Sequence, residues 1–183
     1  MYYNGCFLIS TPEMEGSVFD RSVVLICEHN EEGATGLIIN KESKIKVNEL
    51  ADTFPCTQDL KTHFMVGGPV AQEEVLVLHD MKSATDRRLD ISDDLFMTTN
   101  PAFLNTISAS QLEYCYLQFF LGYSGWSAGQ IESEIERGSW TVCPLNMNII
   151  RESPFDKMWS QSLHDLGGDF ACKAFLPKDP NRN

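Results

Sequence analysis

The chain has 183 residues, a formal net charge of −12 and 43% hydrophobic residues, which is the composition of an ordinary globular domain rather than a disordered segment. Its 14 lysines and arginines are scattered, and an acidic surface repels phosphate backbones and anionic lipids, so nucleic-acid and membrane-surface binding are not expected. No apolar run could cross a bilayer and MYYNGCFLIS lacks the features of a secretory signal, which predicts a cytoplasmic protein.

The first half of the chain predicts strands joined by turns. The run RSVVLICEH is dense in β-branched residues, and NEEGAT after it is turn-forming, so the two predict a β-hairpin with the return strand GLIINK. The predicted elements here are strands over 5–10, 21–29 and 36–41, a helix over 47–54 that ends before Pro55, and strands over 63–70 and 75–80.

The second half alternates strands and helices. MKSATDRRLDISDD (81–94) is polar and is expected to be an exposed loop, while Glu132, Glu134 and Glu136 are expected to face solvent on a helix. The predicted elements are a strand over 95–100, a helix over 101–108, a central strand over 112–123, a helix from Ser127 to Gly138, a strand over 139–145 and a helix over 154–166.

This order of elements predicts the fold class. Consecutive strands early in the chain imply antiparallel hairpins, and the later alternation adds some parallel pairing. We therefore predict an α+β fold with a mixed, largely antiparallel sheet flanked by helices. The chain shows no repeat or linker, which predicts a single domain over 1–176 followed by a flexible C-terminal tail over 177–183.

The cysteines bear on redox chemistry and metal binding. The chain contains six of them at wide spacing: Cys6, Cys27, Cys56, Cys115, Cys143 and Cys172. Without a secretory signal, this spacing favours reduced thiols over disulfides. No C-x-x-C pair is present and the histidines form no tight cluster, so neither a metal site nor a cofactor is expected.

The stretch CEHN (27–30) is the first candidate site. Side chains alternate along a strand, so Cys27 and His29 are expected to point the same way and Glu28 the other. A thiol and an imidazole on one face suggest a thiolate–imidazole pair or half of a zinc site. The alternative is a buried cysteine at a strand end followed by a solvated turn, which the usual burial of cysteine favours.

The stretch GYSGWSAGQ (122–130) is the second candidate. It is expected to turn from a strand into a helix, where backbone N–H groups could bind an anion or where Ser127 and Gln130 could cap the helix. GYSGW also approaches the nucleophile elbow G-x-S-x-G, with Trp126 in place of the last glycine. The VGGPV stretch (66–70) predicts a bend where the backbone packs closely against a neighbour.

Three of these segments together resemble the AlgH/YqgE family of bacterial proteins. They are FDRSVVLICEHNEEGATGLIINK, VGGPV with VLVLHD, and LGYSGWSAGQIESEI, and the resemblance runs from about Gly5 to Leu166. It implies a mixed sheet that curls into a small barrel flanked by helices, an unassigned biochemical function and a transcription-regulator label. Ser124 stands where the family's G-Y-A-G-W has alanine. The signature positions, our candidates for a surface or ligand site, are Cys27, Glu28, His29, Asn30, Gly33, Gly67, Gly68, Pro69, Gly122, Tyr123, Gly125, Trp126, Gly129 and Gln130.

Two functional hypotheses follow, with a third from the label. The first is a non-catalytic regulatory or interaction protein that binds a protein partner or a small ligand through the tip over 29–33, the G-G-P segment and the turn over 123–130. The second is a small hydrolase or thiol-dependent enzyme using Cys27 and His29. The third is a transcriptional regulator, which the acidic composition and the lack of a clear helix-turn-helix do not favour.

Overall fold

The computed structural model describes residues 1–82, 89–106 and 114–168, and the predicted flexible tail lies outside these ranges. The described strands are β1 (Phe7–Ser10), β2 (Val23–Asn30), β3 (Gly33–Ile38), β4 (Glu42–Lys46), β5 (His63–Val66), β6 (Val70–His79), β7 (Leu89–Ser92), β8 (Leu95–Thr98), β9 (Leu117–Ser127) and β10 (Trp140–Cys143). The described helices are α1 (Gln130–Glu136), α2 (Met147–Glu152) and α3 (Phe155–Leu166), with 3-10 turns at Pro12–Met14, Val47–Leu50, Pro55–Thr57 and Pro101–Thr106. None of the helices in these ranges combines the length and hydrophobicity that a membrane-spanning helix requires.

The described strands form one mixed sheet. Its main path runs β10-β1-β2-β3-β9-β6-β8-β7, with antiparallel pairing at every step. β5 pairs in parallel with β9 and antiparallel with β4. The α+β class and the largely antiparallel sheet are therefore confirmed, with the long strand β9 at the centre as predicted for the apolar segment before Gly122.

The sheet curls, but the predicted closure into a small barrel is not confirmed. Its path has two ends, β10 and β7, and among the described strands no ladder joins them. β7 nevertheless packs against β2, so the two halves of the sheet face each other. Between them lies the main hydrophobic cluster, which contains Leu25 and Met97 from the sheet and Trp159 from α3. The Trp159 indole donates to the carbonyl oxygen of Ser10 at 2.8 Å and so ties α3 to β1.

Several predicted elements need correction. The helix predicted over 47–54 is replaced by a 3-10 turn at Val47–Leu50. Of the helix predicted over 101–108, Pro101–Thr106 is a 3-10 turn, and residues 107 and 108 lie outside the described ranges. The predicted loop over 81–94 contains β7, in which Ile91 is buried. The sequence does not predict this strand, because alternation of polar and apolar residues is hard to detect in so short a polar segment. GYSGW is not a turn, since β9 continues through it to Ser127.

Candidate functional site

A β-bulge at Cys27 sets the geometry of the candidate site. In the β2–β3 ladder Ile26 pairs with Gly36 and Glu28 pairs with Thr35, so Cys27 is the extra residue. A bulge re-aims the side chains that follow it. Cys27 packs in the main hydrophobic cluster, and Glu28 lies on the same side of the sheet. His29 lies on the other face, where its ladder partner Ala34 belongs to a separate hydrophobic cluster. The expectation that Cys27 and His29 share a face is therefore wrong.

Cys27 is a buried structural thiol. Its side chain is 2% exposed, and its Sγ donates to the carbonyl oxygen of Leu25 at 3.7 Å. Burial, and to a lesser degree the charge of Glu28, raises the pKa of this thiol far above its ordinary value. Burial therefore disfavours the thiolate that nucleophilic or metal-binding chemistry needs. The interpretation of a buried cysteine is confirmed, and the proposed Cys27–His29 pair is not present.

His29 is buried on the opposite face, with both ring nitrogens engaged. Nδ1 accepts the backbone N–H of Tyr3 at 3.1 Å, so the neutral ring carries its proton on Nε2, which lies 3.2 Å from Oε1 of Glu132. The rings of Tyr2 and Tyr3 cover the imidazole at centroid distances of 5.2 and 5.5 Å. Only 2% of His29 is exposed, so the residue anchors the hairpin and does not form the predicted contact surface.

Two of the carboxylates of α1, those of Glu132 and Glu134, contact side chains of the sheet. Glu132 holds His29, and Glu134 Oε2 accepts the indole N–H groups of Trp126 and Trp140 at 3.0 and 2.8 Å. Burial raises the pKa of the Glu134 carboxyl, but hydrogen bonds from Gln130 and the two indoles outweigh it, so the pKa lies below its ordinary value. Glu132 and Glu134 are therefore only partly solvated, in contrast to the expectation, because His29 and the two indoles contact them from β2, β9 and β10.

The segment around Ser124 provides no accessible nucleophile. Ser124 is fully buried within β9, and its Oγ donates to the carbonyl oxygen of Gly67 at 3.2 Å. Helix α1 begins later, at Gln130, whose Oε1 accepts the backbone N–H of Ser127 at 3.0 Å. That bond is one half of the predicted capping box, while Gly129 at φ 73° takes the N-cap position. The nucleophile-elbow interpretation is therefore wrong, and one half of the predicted helix cap is present.

Signature glycines allow close backbone contact around β9. A Cβ on Gly67 would lie 2.1 Å from the carbonyl oxygen of Gly122, and one on Gly68 would lie 2.2 Å from the carbonyl carbon of Tyr123. A Cβ on Gly33, whose φ is +141°, would lie 2.2 Å from the carbonyl oxygen of Trp126. Close packing thus explains these glycines, as predicted for the G-G-P segment, whose Pro69 is exposed.

A cavity opens beside the bulge, between the two halves of the curled sheet. Its volume is about 180 Å³, and a polar cleft of about 240 Å³ adjoins it at the hairpin. Glu28 and Thr35 line both the cavity and the cleft. The two residues pair directly in the β2–β3 ladder, so they lie side by side where the cavity meets the cleft. The remaining cavity walls are Leu76, Leu89, Met97 and Tyr123. The remaining cleft residues are Asn30, Glu32, Gly33, Ala34 and Trp126.

The cavity brings together only part of the predicted site. Glu28, Asn30, Gly33, Tyr123 and Trp126 line it or its cleft. Sequence reasoning missed four of the walls: Thr35, Leu76, Leu89 and Met97. Their apolar or small side chains resemble ordinary core residues, and only the hairpin pairing of Thr35 with the CEHN stretch could have indicated one of them. In the described ranges, no three histidine, cysteine or acidic side chains lie close enough together to hold a metal ion.

We predict that Cys27 resists alkylation in the native protein. Iodoacetamide at pH 8 should modify Cys6 and Cys143, which are partly exposed, while Cys27 reacts only after denaturation. Peptide mass spectrometry on native and urea-treated samples measures the fraction of each cysteine that is alkylated. Labelling of Cys27 as fast as that of Cys6 would contradict the buried assignment.

Fold and site together define a class: an α+β protein whose curled sheet holds a small cavity beneath a bulged hairpin. Within that class, the AlgH-like family model, DUF179, matches residues 7–171. A UPF0301 protein from Cytophaga hutchinsonii is 35% identical over 185 residues, covering 100% of both chains. A UPF0301 protein from Chlamydia caviae is 32% identical over 179 residues, covering 96% of this chain and 92% of that one. The chain belongs to the AlgH-like family, as the resemblance of its motifs indicated.

Solved structures agree with this assignment. The solution structure of the AlgH protein from Pseudomonas aeruginosa matches with a TM-score of 0.74 and 28% identity, over 97% of this chain and 95% of that one. A crystal structure of a protein from Corynebacterium diphtheriae has the same TM-score at 23% identity, over 95% and 92% of the two chains, and shows the shared fold.

Proposed function

We propose that this protein is a non-catalytic binding protein that holds a small ligand in the cavity beside Glu28. The observation that carries the proposal is the bulge at Cys27, which turns the Glu28 side chain toward the cavity and leaves the thiol sealed. Binding sites for small ligands are concave and combine apolar walls with a few placed polar groups, and this cavity sets Glu28 and Thr35 beside Leu76, Leu89 and Met97.

The state of Cys27, Ser124 and His29, the candidate nucleophiles and base, supports a binding role. Cys27 is buried with a raised thiol pKa, Ser124 is fully buried, and His29 uses both of its ring nitrogens in hydrogen bonds. Acyl or thiol chemistry needs a nucleophile and a base within reach of each other and of the substrate. None of these three residues meets that requirement.

The same features bear on the other proposals for the family. A net charge of −12 gives a DNA-contacting role no electrostatic support, since affinity for DNA depends largely on phosphate contacts by Lys and Arg. We place the binding function in the cytoplasm, where a reducing environment suits free thiols such as those of Cys56 and Cys115.

A fragment screen tests the proposed function. We would titrate the ¹⁵N-labelled protein with small molecules of mixed charge and record backbone amide shifts. We expect shifts concentrated at Glu28, Thr35 and Tyr123. The variant Leu89→Phe, which enlarges a partly buried wall residue, should suppress the shifts while the rest of the spectrum is retained. Absence of shifts at the cavity for every fragment, or turnover of a fragment, would refute the proposal.

A further inference from the structure

We infer that His29 is a pH-sensitive switch: the neutral imidazole holds residues 1–4, here called the leading segment, against β2, and the protonated imidazole releases them. This inference goes beyond the proposed binding function, because it concerns the face of β2 opposite the cavity. It depends on three observations: how the leading segment is attached, what each ring nitrogen contacts, and which groups surround the ring.

The leading segment is attached to β2 through His29. The side-chain amide of Asn4 donates to the carbonyl oxygen of His29 at 3.1 Å and accepts the His29 backbone N–H. The backbone N–H of Tyr3 donates to the imidazole Nδ1 at 3.1 Å, and the rings of Tyr2 and Tyr3 cover the imidazole. Met1 and Tyr2 are 98% and 56% exposed, so they add little buried surface. A segment held by so few contacts opens at a low cost in free energy.

Protonation changes the hydrogen bonding of the ring at Nδ1. In the neutral ring Nδ1 accepts the Tyr3 N–H, and the proton on Nε2 faces Oε1 of Glu132 at 3.2 Å. The imidazolium has a donor at both nitrogens. Its Nε2–H keeps Glu132 as a charge-assisted partner, whereas its Nδ1–H and the Tyr3 N–H become two donors that face each other. Because Glu132 retains the ring, the leading segment is the part that moves away.

The groups around the imidazole decide which effect is larger. The Glu132 carboxylate, from α1, favours the imidazolium whether the segment is held or released, so it favours neither state. The rings of Tyr2 and Tyr3 attract a cation, which favours the held state by a factor of about two to five. A buried donor without an acceptor opposes it by a factor of about five to one hundred, and by more when charged. From β3 the ladder partner Ala34 is uncharged, and Glu28 lies on the other face of β2.

Backbone ¹⁵N relaxation of the wild-type protein tests the inference. Histidine is the side chain that ordinarily changes charge between pH 5 and 8, so spectra are recorded from about pH 7.5 to about pH 5.5. Order parameters of Tyr3 and Asn4 should lie near 0.85, the value of rigid backbone, at the higher pH and fall below about 0.6 at the lower. Those of Leu8 and Val24, a buried pair of the β1–β2 ladder, should stay constant. The titration needs no ligand, so its result is independent of the cavity.

His29→Asn removes the titration. Asparagine offers an acceptor oxygen near the position of Nδ1 and gains no proton, so residues 3 and 4 should keep the same order parameters over the whole pH range. The matched control is His164→Asn, the same change at a histidine on α3 whose side chain is 63% exposed. It should retain the pH dependence of the wild type.

Glu132→Gln provides a second test, which decides the question if His29→Asn does not fold. Glutamine keeps an acceptor for Nε2–H but lacks the charge that favours the imidazolium, so the release should move to lower pH. Glu136→Gln, at an exposed carboxylate of the same helix, should leave the midpoint of the release unchanged.

Four results would overturn the inference. The first is constant order at Tyr3 and Asn4 in the wild type between pH 7.5 and 5.5. The second is a pH dependence that persists in His29→Asn or disappears in His164→Asn, since another group would then cause the release. The third is a loss of order in the β1–β2 ladder together with the leading segment, which would be acid unfolding of the whole domain. The fourth is a midpoint that Glu132→Gln does not lower.

Discussion

Gly67→Ala is expected to destabilise the protein by about 3–5 kcal/mol, a large fraction of the roughly 5–15 kcal/mol free energy of unfolding of an ordinary domain. The added Cβ would lie 2.1 Å from the carbonyl oxygen of Gly122 and 3.1 Å from a methyl group of Leu37. The first neighbour is backbone in the central strand and cannot move aside. Gly67 also donates its N–H to Leu121 and accepts the N–H of Ile38, both at 2.9 Å, so a shift of its backbone would break hydrogen bonds on two sides.

Gly125→Ala is the matched control, since it makes the same change at another signature glycine of the same sheet. Its Cβ would meet only side-chain atoms, at 3.7 Å or more, and the residue is exposed, so we expect a change within about 1 kcal/mol. Urea unfolding followed by circular dichroism measures both variants. If Gly67→Ala folded with the stability of Gly125→Ala, the close contact between Gly67 and Gly122 would be wrong.

The hairpin was predictable, but its bulge was not. The dense β-branched run before Cys27 and the turn-forming residues after His29 indicate two paired strands, and the structure contains them as β2 and β3. Strict alternation then placed Cys27 and His29 together. One extra residue reverses the side of every later side chain, and nothing in the local sequence marks where the extra residue falls. As a result Glu28, and not Cys27, lines the cavity.

The roles of the helix carboxylates depend on partners outside the helix. A run of glutamates on a short helix usually indicates a solvated face, and Glu136 is indeed exposed. Glu132 and Glu134 differ from it because His29 and Trp140 reach them from β2 and β10. Sequence periodicity describes which residues share a helical face, but it contains no information about donors that tertiary packing brings to that face.

Glu134→Ala is expected to destabilise the protein by about 2–4 kcal/mol, a fall in Tm of roughly 5–15 °C for a chain of this length. The change leaves the indole N–H groups of Trp126 and Trp140 without their acceptor, and the two residues are only 6% and 2% exposed. A buried donor without a partner loses its hydration as well as its bond. Thermal unfolding measures the effect, and Glu136→Ala, on the same helix with an exposed side chain, should stay within about 0.5 kcal/mol.

The contribution of Glu134 should also depend on pH. Its pKa in the folded protein lies below the ordinary value of about 4.3, so the ionised carboxylate adds stability above that value and loses it as pH falls through the folded pKa. The difference in free energy of unfolding between the wild type and Glu134→Gln should therefore be largest near pH 7 and shrink as the pH falls from about 5 to about 3. A difference that stays constant over this range would mean that the charge on Glu134 adds nothing to the hydrogen bonds of the indoles.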